Sequence, residues 1–448
     1  MRLQEIKEIG YNWFHSALVR QFAANSFWMT VARCAWILSA FTVGILVARK
    51  LGPHDYGIVN YAVAYVGMFS VIASLGVESL VERDYILHPE RRDRIMGNYF
   101  LFKAATTLLM LAALAVSLCF MADRRTAGFC AVVAAGYIFY PGNVVLIVFS
   151  AQVKNEYNAF SQLICCVCYN ALRLWAVLCS QSLIVYVIAE AVLAGMCGLA
   201  GFIFYWLKCG DPLHWTWKWK EAMGLIIPAI PLSLTAILSN IYARTDILML
   251  EHYEGPASVG CYTIATRFTE NWYLFTVIFS SIFSVAVING FKTSPEEYRK
   301  QLHRYIFMLF YITFPPVLLS LIFGRMIIRI LYGQAYMPTV PVFYIYVLTL
   351  VFSSVLNGFN YHAINENRLK TVAAVFCSGA AINVPMNMLL IPQFGMCGAA
   401  LSSVISMPLG FILVLCFNAK GREDLRFVFY SITHLPSFTL NEDSVHPR

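Results

Sequence analysis

The chain has 448 residues, of which 59% are hydrophobic and only 12% charged, with a formal net charge of +8. Soluble domains average roughly 25% charged residues, so this composition excludes a soluble enzyme and points to a multi-pass membrane protein. The surplus positive charge lies in short loops, which is no signature of a nucleic-acid-binding face.

Residues 1–24 come first as an amphipathic interfacial segment. Leu3, Ile6, Ile9, Trp13, Phe14, Ala17 and Leu18 recur there at helical spacing, which suits a helix lying on the membrane surface. No cleavable signal peptide is expected ahead of the first apolar run. A span needs about 20 apolar residues. Twelve windows meet that length: 25–48, 57–81, 97–121, 127–151, 158–179, 182–207, 222–249, 257–289, 304–324, 339–363, 370–391 and 395–418. The predicted organisation is an N-lobe over 25–207, a linker over 208–221, a C-lobe over 222–418, and a polar, mostly flexible tail over 419–448. Only Ser180 and Gln181 separate the fifth and sixth spans. Pro228 and Pro231 interrupt the start of span seven, and Pro315 and Pro316 interrupt span nine. Proline removes a backbone donor and bends a helix, giving either a static shape or a hinge for rocking.

The positive-inside rule sets the orientation. The N-terminus, the loops at 82–96, 152–157, 208–221, 290–303 and 364–370, the C-terminus and the adjoining span ends hold 22 of the 32 lysines and arginines. The opposite side holds six: Arg49, Lys50, Arg124, Arg125, Arg325 and Arg329. Both termini are therefore predicted to be cytoplasmic. Every loop is short, which leaves no room outside the membrane for a folded catalytic domain.

A repeat runs at an offset of 203 residues. Gly52, Pro53, Gly57 and Ala62 follow span one, and Gly255, Pro256, Gly260 and Ala265 follow span seven. Gly-Pro and the third glycine read as a tight turn ending one helix and starting the next. Two six-span halves of like orientation follow, related by an axis along the membrane normal, with the substrate path between them. Trp215, Trp217 and Trp219 alternate with Lys218 and Lys220 at the join, as an interfacial segment would.

Neither metal chemistry nor a disulfide framework is legible. Cys165, Cys166 and Cys168 lie mid-helix without polar flanks, and the nine histidines are scattered. No catalytic residue is assigned and no cofactor is expected.

The informative residues are the charges inside the apolar runs: Arg33, Arg173, Arg244 and Arg267, with Glu190, Asp246 and Glu270. Each costs at least about 2.5 kcal/mol on insertion scales. Arg173 and Glu190 fall at compatible depth on spans five and six, antiparallel neighbours, and are predicted to form a structural ion pair. Ala191, Ala194, Gly195, Gly198 and Gly201 let span six pack closely. Arg267 and Glu270 share one helix face at i,i+3, as a neutralising pair or as one that opens to phosphate. Arg244 and Asp246, at i,i+2, cannot pair within their own helix and each needs another partner. Glu78 and Glu82 sit beside Arg83 at the end of span two and read as solvated.

The strings ARKLGPHDYGIVNYA at 48–62, ARTDILML at 243–250, EGPASVGCYTIATR at 254–267, NENRLK at 365–370 and NMLLIPQFGMCGAALSSV at 387–404 carry a resemblance. The chain resembles the polysaccharide-transporter branch of the multidrug/oligosaccharidyl-lipid/polysaccharide (MOP) exporter superfamily, and within it the O-antigen flippase (Wzx) type. The resemblance implies an all-α fold of about twelve transmembrane helices in two six-helix lobes around a central cavity lined by spans one, two, seven and eight. It implies transport, without enzymatic activity, of an undecaprenyl-pyrophosphate-linked oligosaccharide from the cytoplasmic to the periplasmic leaflet of a bacterial inner membrane. A polysaccharide polymerase and a chain-length regulator would then be partners in the same membrane, alongside membrane lipid and without nucleic acid.

Under that reading Arg33 and Arg267 engage pyrophosphate, because a guanidinium is always charged and its planar fork matches phosphate oxygens. Arg244 counts among the transport residues beside the same cavity, or else snorkels to the nearby periplasmic end. Asp246 or Glu270 would bind a coupling proton or sodium ion. Two alternatives stay open: a multidrug or cation antiporter on the same scaffold, and a membrane-embedded polysaccharide polymerase or glycosyltransferase. Arginines outnumber acids in the spans four to three, which leans toward an anionic cargo. The short loops weigh against the enzyme.

Overall fold

The computed structural model describes residues 17–436 apart from 75, 211 and 219–229. Its helices are α1 (Ala17–Phe41), α2 (Val43–Ser74), α3 (Glu78–Leu87), α4 (Arg92–Cys119), α5 (Arg124–Gly136), α6 (Val145–Ala151), α7 (Asn155–Leu178) and α8 (Leu183–Lys208). The second half holds α9 (Ile230–Glu254), α10 (Pro256–Thr293), α11 (Pro295–Tyr311), α12 (Phe314–Leu331), α13 (Thr339–Tyr346), α14 (Thr349–Asn365), α15 (Leu369–Cys416) and α16 (Ala419–Thr433). Each of the twelve expected windows has a helical counterpart, so the chain is an all-α, multi-pass membrane protein. Residues 1–16, which carry most of the expected amphipathic segment, and Pro228 lie outside the described residues.

Glycine, rather than proline, sets the sharpest breaks. α2 contains Gly52 at φ +72°, and α15 contains Gly395 at φ +55°. Those left-handed values are accessible to glycine at little cost. Gly52 turns the chain from the end of span one into span two within α2, and Gly395 lets α15 carry spans eleven and twelve. In α15 the two halves fold against each other: Asn383 Nδ2 donates to Ser402 Oγ at 3.3 Å and Ser406 Oγ at 3.5 Å. Pro231 lies in the described part of α9, and the residues before Ile230 lie outside the described residues. The expected interruption of span nine is present: α11 ends at Tyr311, a turn follows at 312–313, and Pro315 and Pro316 open α12. Span four is continuous but tightens into a 3-10 stretch, Tyr137–Val144, around Pro141. The small-residue stripe of α8 packs on that stretch so closely that a Cβ on Gly198 would lie 2.6 Å from the Phe139 carbonyl oxygen.

Contacts divide the chain into two compact units, Met1–Gly260 with Leu331–Ala335, and Cys261–Ile330 with Tyr336–Arg448. The boundary falls later than the expected linker because α9 packs on α2 and is drawn into the first unit. Within the linker, the described residues 212–218 are docked. Trp215 packs edge-on against Phe202 and tilted against Phe100 and Tyr205, its Nε1 donates to Tyr205 Oη at 3.1 Å, and the Lys218 amide donates to Asn98 Oδ1 at 2.6 Å.

Over 419–436 the structure departs from the expected mostly flexible tail, while 437–448 lie outside the described residues. Asn418 caps α16 by accepting from the Gly421 amide. Asp424 then faces inward, where it takes Arg368 Nη1 and lies 3.5 Å from His362 Nε2, while Lys420 Nζ meets Glu366 at 2.7 Å. Burial alone would raise the Asp424 carboxyl. The hydrogen bonds from His362 and Arg368 override it and hold Asp424 below the ordinary carboxylate range. α16 is therefore anchored on the second unit at neutral pH.

Candidate functional site: arginines and a glycine crossing

The two Gly-Pro repeats meet. Gly52 and Gly255, at φ +72° and +80°, make the turns that precede Pro53 and Pro256. The third glycines do something else. A Cβ on Gly57 would sit 1.7 Å from the Pro256 carbonyl oxygen, and one on Gly260 would sit 2.0 Å from that of Pro53. The contact is reciprocal at the 203-residue offset, the form an internal duplication requires. Backbone touches backbone at this crossing, so no residue larger than glycine fits on either side.

Further along α2, Gly67 faces Arg244 of α9. A Cβ at Gly67 would lie 2.4 Å from the Arg244 Cζ, so the guanidinium occupies the space a side chain would fill. Arg244 Nε donates to Asn240 Oδ1 at 2.9 Å, one turn back on the same helix, which fixes the plane of the fork. Ser70 Oγ donates to the Gly67 carbonyl at 2.7 Å, and Tyr137 partners Ser70 beside the arginine. Tyr61, Tyr65 and Phe69 run up α2 as a ladder with ring centroids 5.8 and 5.7 Å apart. A half-buried guanidinium beside the Tyr137 and Ser70 hydroxyls binds a phosphate oxygen more strongly than one fully in solution.

The other expected residues are placed as follows. Arg33 is exposed on α1 and forms no ion pair among the described residues. Asp246 is buried in the first unit at 5% exposure. Arg267 is half-buried and Glu270 exposed, both on the α10 stretch that belongs to the second unit. The structure thus brings Arg33, Arg244 and Asp246 into one unit and Arg267 and Glu270 into the other.

Arg173 and Glu190 are both buried, and they are joined through Tyr169 instead of directly. Tyr169 Oη donates to Glu190 Oε1 at 2.7 Å, and the Arg173 guanidinium lies 4.7 Å over the same ring. The expected two-member ion pair is a three-member brace, because the ring fills the gap between α7 and α8 that separates the charges.

One charge was missed. Lys103 of α4 is 2% exposed, and its Nζ donates to Glu78 Oε1 at 2.8 Å with the Tyr140 and Tyr99 rings 4.7 and 5.6 Å away. Glu78 is thus partly solvated, as expected, and is also the partner of a buried cation, while Arg83 pairs with Asp84 at 3.1 Å. The signal was present: Lys103 and Glu78 both fall inside apolar windows, yet each lies close enough to a window end to pass for a flank.

The family model described as "Polysaccharide biosynthesis protein" matches residues 46–341. The capsular polysaccharide biosynthesis protein CapF of Staphylococcus aureus is 21% identical over 406 residues, covering 85% of this chain and 95% of the relative. Among solved structures, the lipid II flippase MurJ in an inward closed conformation superimposes with a TM-score of 0.69 at 16% identity, covering 90% of each chain. An inward-facing multidrug resistance MATE family transporter of the MOP superfamily gives 0.66 at 15% identity, covering 88% of this chain and 95% of that one. At these identities the structural likeness establishes the fold.

Proposed function

Because this chain belongs to the polysaccharide biosynthesis protein family, within the polysaccharide branch of the MOP exporter superfamily, we propose that it is the flippase for an undecaprenyl-pyrophosphate-linked oligosaccharide, an O-antigen or related surface-polysaccharide repeat unit. The observation that carries this reading is the seat of Arg244, a guanidinium oriented by Asn240 over the bare backbone of Gly67. Moving a pyrophosphate through hydrocarbon requires donors that replace its hydration shell. Arg33 and Arg267 supply further cations on α1 and α10, engaging the anion at other points of its path. Alternating access carries the cargo from the cytoplasmic to the periplasmic leaflet of a bacterial inner membrane, with both termini cytoplasmic. Asp246 or Glu270 binds the coupling proton or sodium ion, and a polymerase and a chain-length regulator receive the product.

The fold is shared with a multidrug transporter, so side-chain chemistry has to separate the two cargoes. Aromatic walls suit either cargo, but a cation carrier needs acidic groups to attract its cargo, whereas the chain seats an arginine beside Tyr137 here. Deletion of the gene followed by lipid extraction tests the proposal. Undecaprenyl-linked repeat units should accumulate facing the cytoplasm, with loss of surface polysaccharide. Complementation by Arg267→Ala should fall at least tenfold, and Arg267→Lys should restore part of it. Normal surface polysaccharide in the deletion strain would remove the proposal.

A further inference from the structure

α16 follows the last span after only Phe417 and Asn418, so it lies at the membrane boundary by connectivity alone. Its surroundings are suited to lipid. Phe417, Phe429, Tyr430 and Leu435 are all at least half exposed, at 87%, 55%, 50% and 82%. Beside the helix a groove of about 440 Å³ runs between α11, α14, α15 and α16, and none of its lining side chains is charged. Leu425, Phe429 and Ile432 of α16 form one wall, while Phe352, Pro408 and Phe411 form the other.

The rim has a different chemistry. At 100° per residue, Arg422 and Arg426 fall on the helix face that adjoins Phe429 and Leu425. Both arginines are exposed. Arg422 spends one donor on the Cys416 carbonyl at 3.1 Å, and Arg426 forms no ion pair among the described residues. Of the two acids of α16, Asp424 is turned inward to Arg368 and His362, and Glu423 is exposed and forms no ion pair with either arginine among the described residues. An apolar groove with two arginines at its mouth matches a ligand that has a long hydrocarbon chain and a phosphate.

We propose that this groove is a binding site for one anionic phospholipid, its acyl chain against Phe352, Pro408 and Phe429 and its phosphate on Arg422 and Arg426. The site is independent of the transport reading. It adds a lipid-dependent anchor for α16, which is already tied to the second unit through Asp424. A zwitterionic lipid fills the apolar part equally well but carries an ammonium that faces the two guanidinium groups, so the preference is for net negative charge.

The test uses the full-length protein in nanodiscs of equal phosphatidylcholine and phosphatidylglycerol, followed by detergent extraction and native mass spectrometry of retained lipid. Wild type should retain one phosphatidylglycerol in preference to phosphatidylcholine. Each arginine contributes about fivefold, so Arg422→Gln with Arg426→Gln should cut the preference about 25-fold. The paired lysine substitutions should keep most of it, which separates charge from folding. Val404→Phe, which narrows the groove, should lower retention of both lipids. Equal retention of the two lipids by wild type, or an unchanged preference in the glutamine pair, would overturn the proposal.

Discussion

Gly57→Ala is expected to abolish the stably folded protein, although it adds a single methyl group. The new carbon would lie 1.7 Å from a backbone oxygen, and a backbone oxygen cannot rotate away as a side chain can. Relief requires α2 and the start of α10 to separate, which undoes every contact along the crossing. Overpacking commonly costs about 1–3 kcal/mol, and a clash with fixed backbone lies at or above the upper end. Gly260→Ala should behave the same way, since its added carbon would meet Pro53 from the opposite side at 2.0 Å. Gly128→Ala is the control: it sits in α5 with open space around it, where alanine gains about 0.5–1 kcal/mol of helix stability. Thermal unfolding in detergent, with monodispersity by size exclusion, reads both. A Gly57→Ala protein that melts with Gly128→Ala would show that the crossing is wrong.

The second large effect is an asymmetry. Glu78→Gln leaves Lys103 buried and charged with no counter-ion, a loss of about 3–5 kcal/mol. Lys103→Met leaves Glu78 behind, but its side chain is 43% exposed and water can solvate it. The lysine substitution should therefore cost much less, and the double variant Glu78→Gln with Lys103→Met should recover most of the stability lost by Glu78→Gln alone. A double-mutant cycle on melting temperature measures this. Equal losses from the two single substitutions would mean that the pair is solvated as a unit and has no burial asymmetry.

Much of this was legible without coordinates. Windows of apolar residues located the spans, and the 203-residue repeat singled out the glycines and prolines that meet at the crossing, though their pattern reads only as a pair of turns. What repetition could not say is that Gly52 and Gly57 do different work, one in a turn and one in a contact with a segment 200 residues away. Lys103 was hidden for a different reason. Depth along one helix does not report which neighbours cover a side chain, so a lysine six residues into a span reads as a snorkelling flank until α3 and the Tyr140 ring enclose it. Tyr169 was invisible in the Arg173–Glu190 brace because two charges at matched depth suggest a pair, and only packing shows a ring between them. α16 was readable and was passed over: Leu425, Val428, Phe429 and Ile432 have amphipathic helical spacing, masked by the low average hydrophobicity of the tail.

The central claim is that Arg244, oriented by Asn240 and seated over Gly67, helps carry a phosphate-bearing lipid. The most direct measurement reconstitutes the purified protein in vesicles with a tagged undecaprenyl-pyrophosphate oligosaccharide and follows its appearance in the opposite leaflet. Wild type should accelerate the transfer. Arg244→Ala should slow it at least tenfold, as expected for losing one charge-assisted contact of about 1.5–3 kcal/mol, and Arg244→Lys should fall between. Transfer at the protein-free rate by wild type, or full activity in Arg244→Ala, would contradict the account.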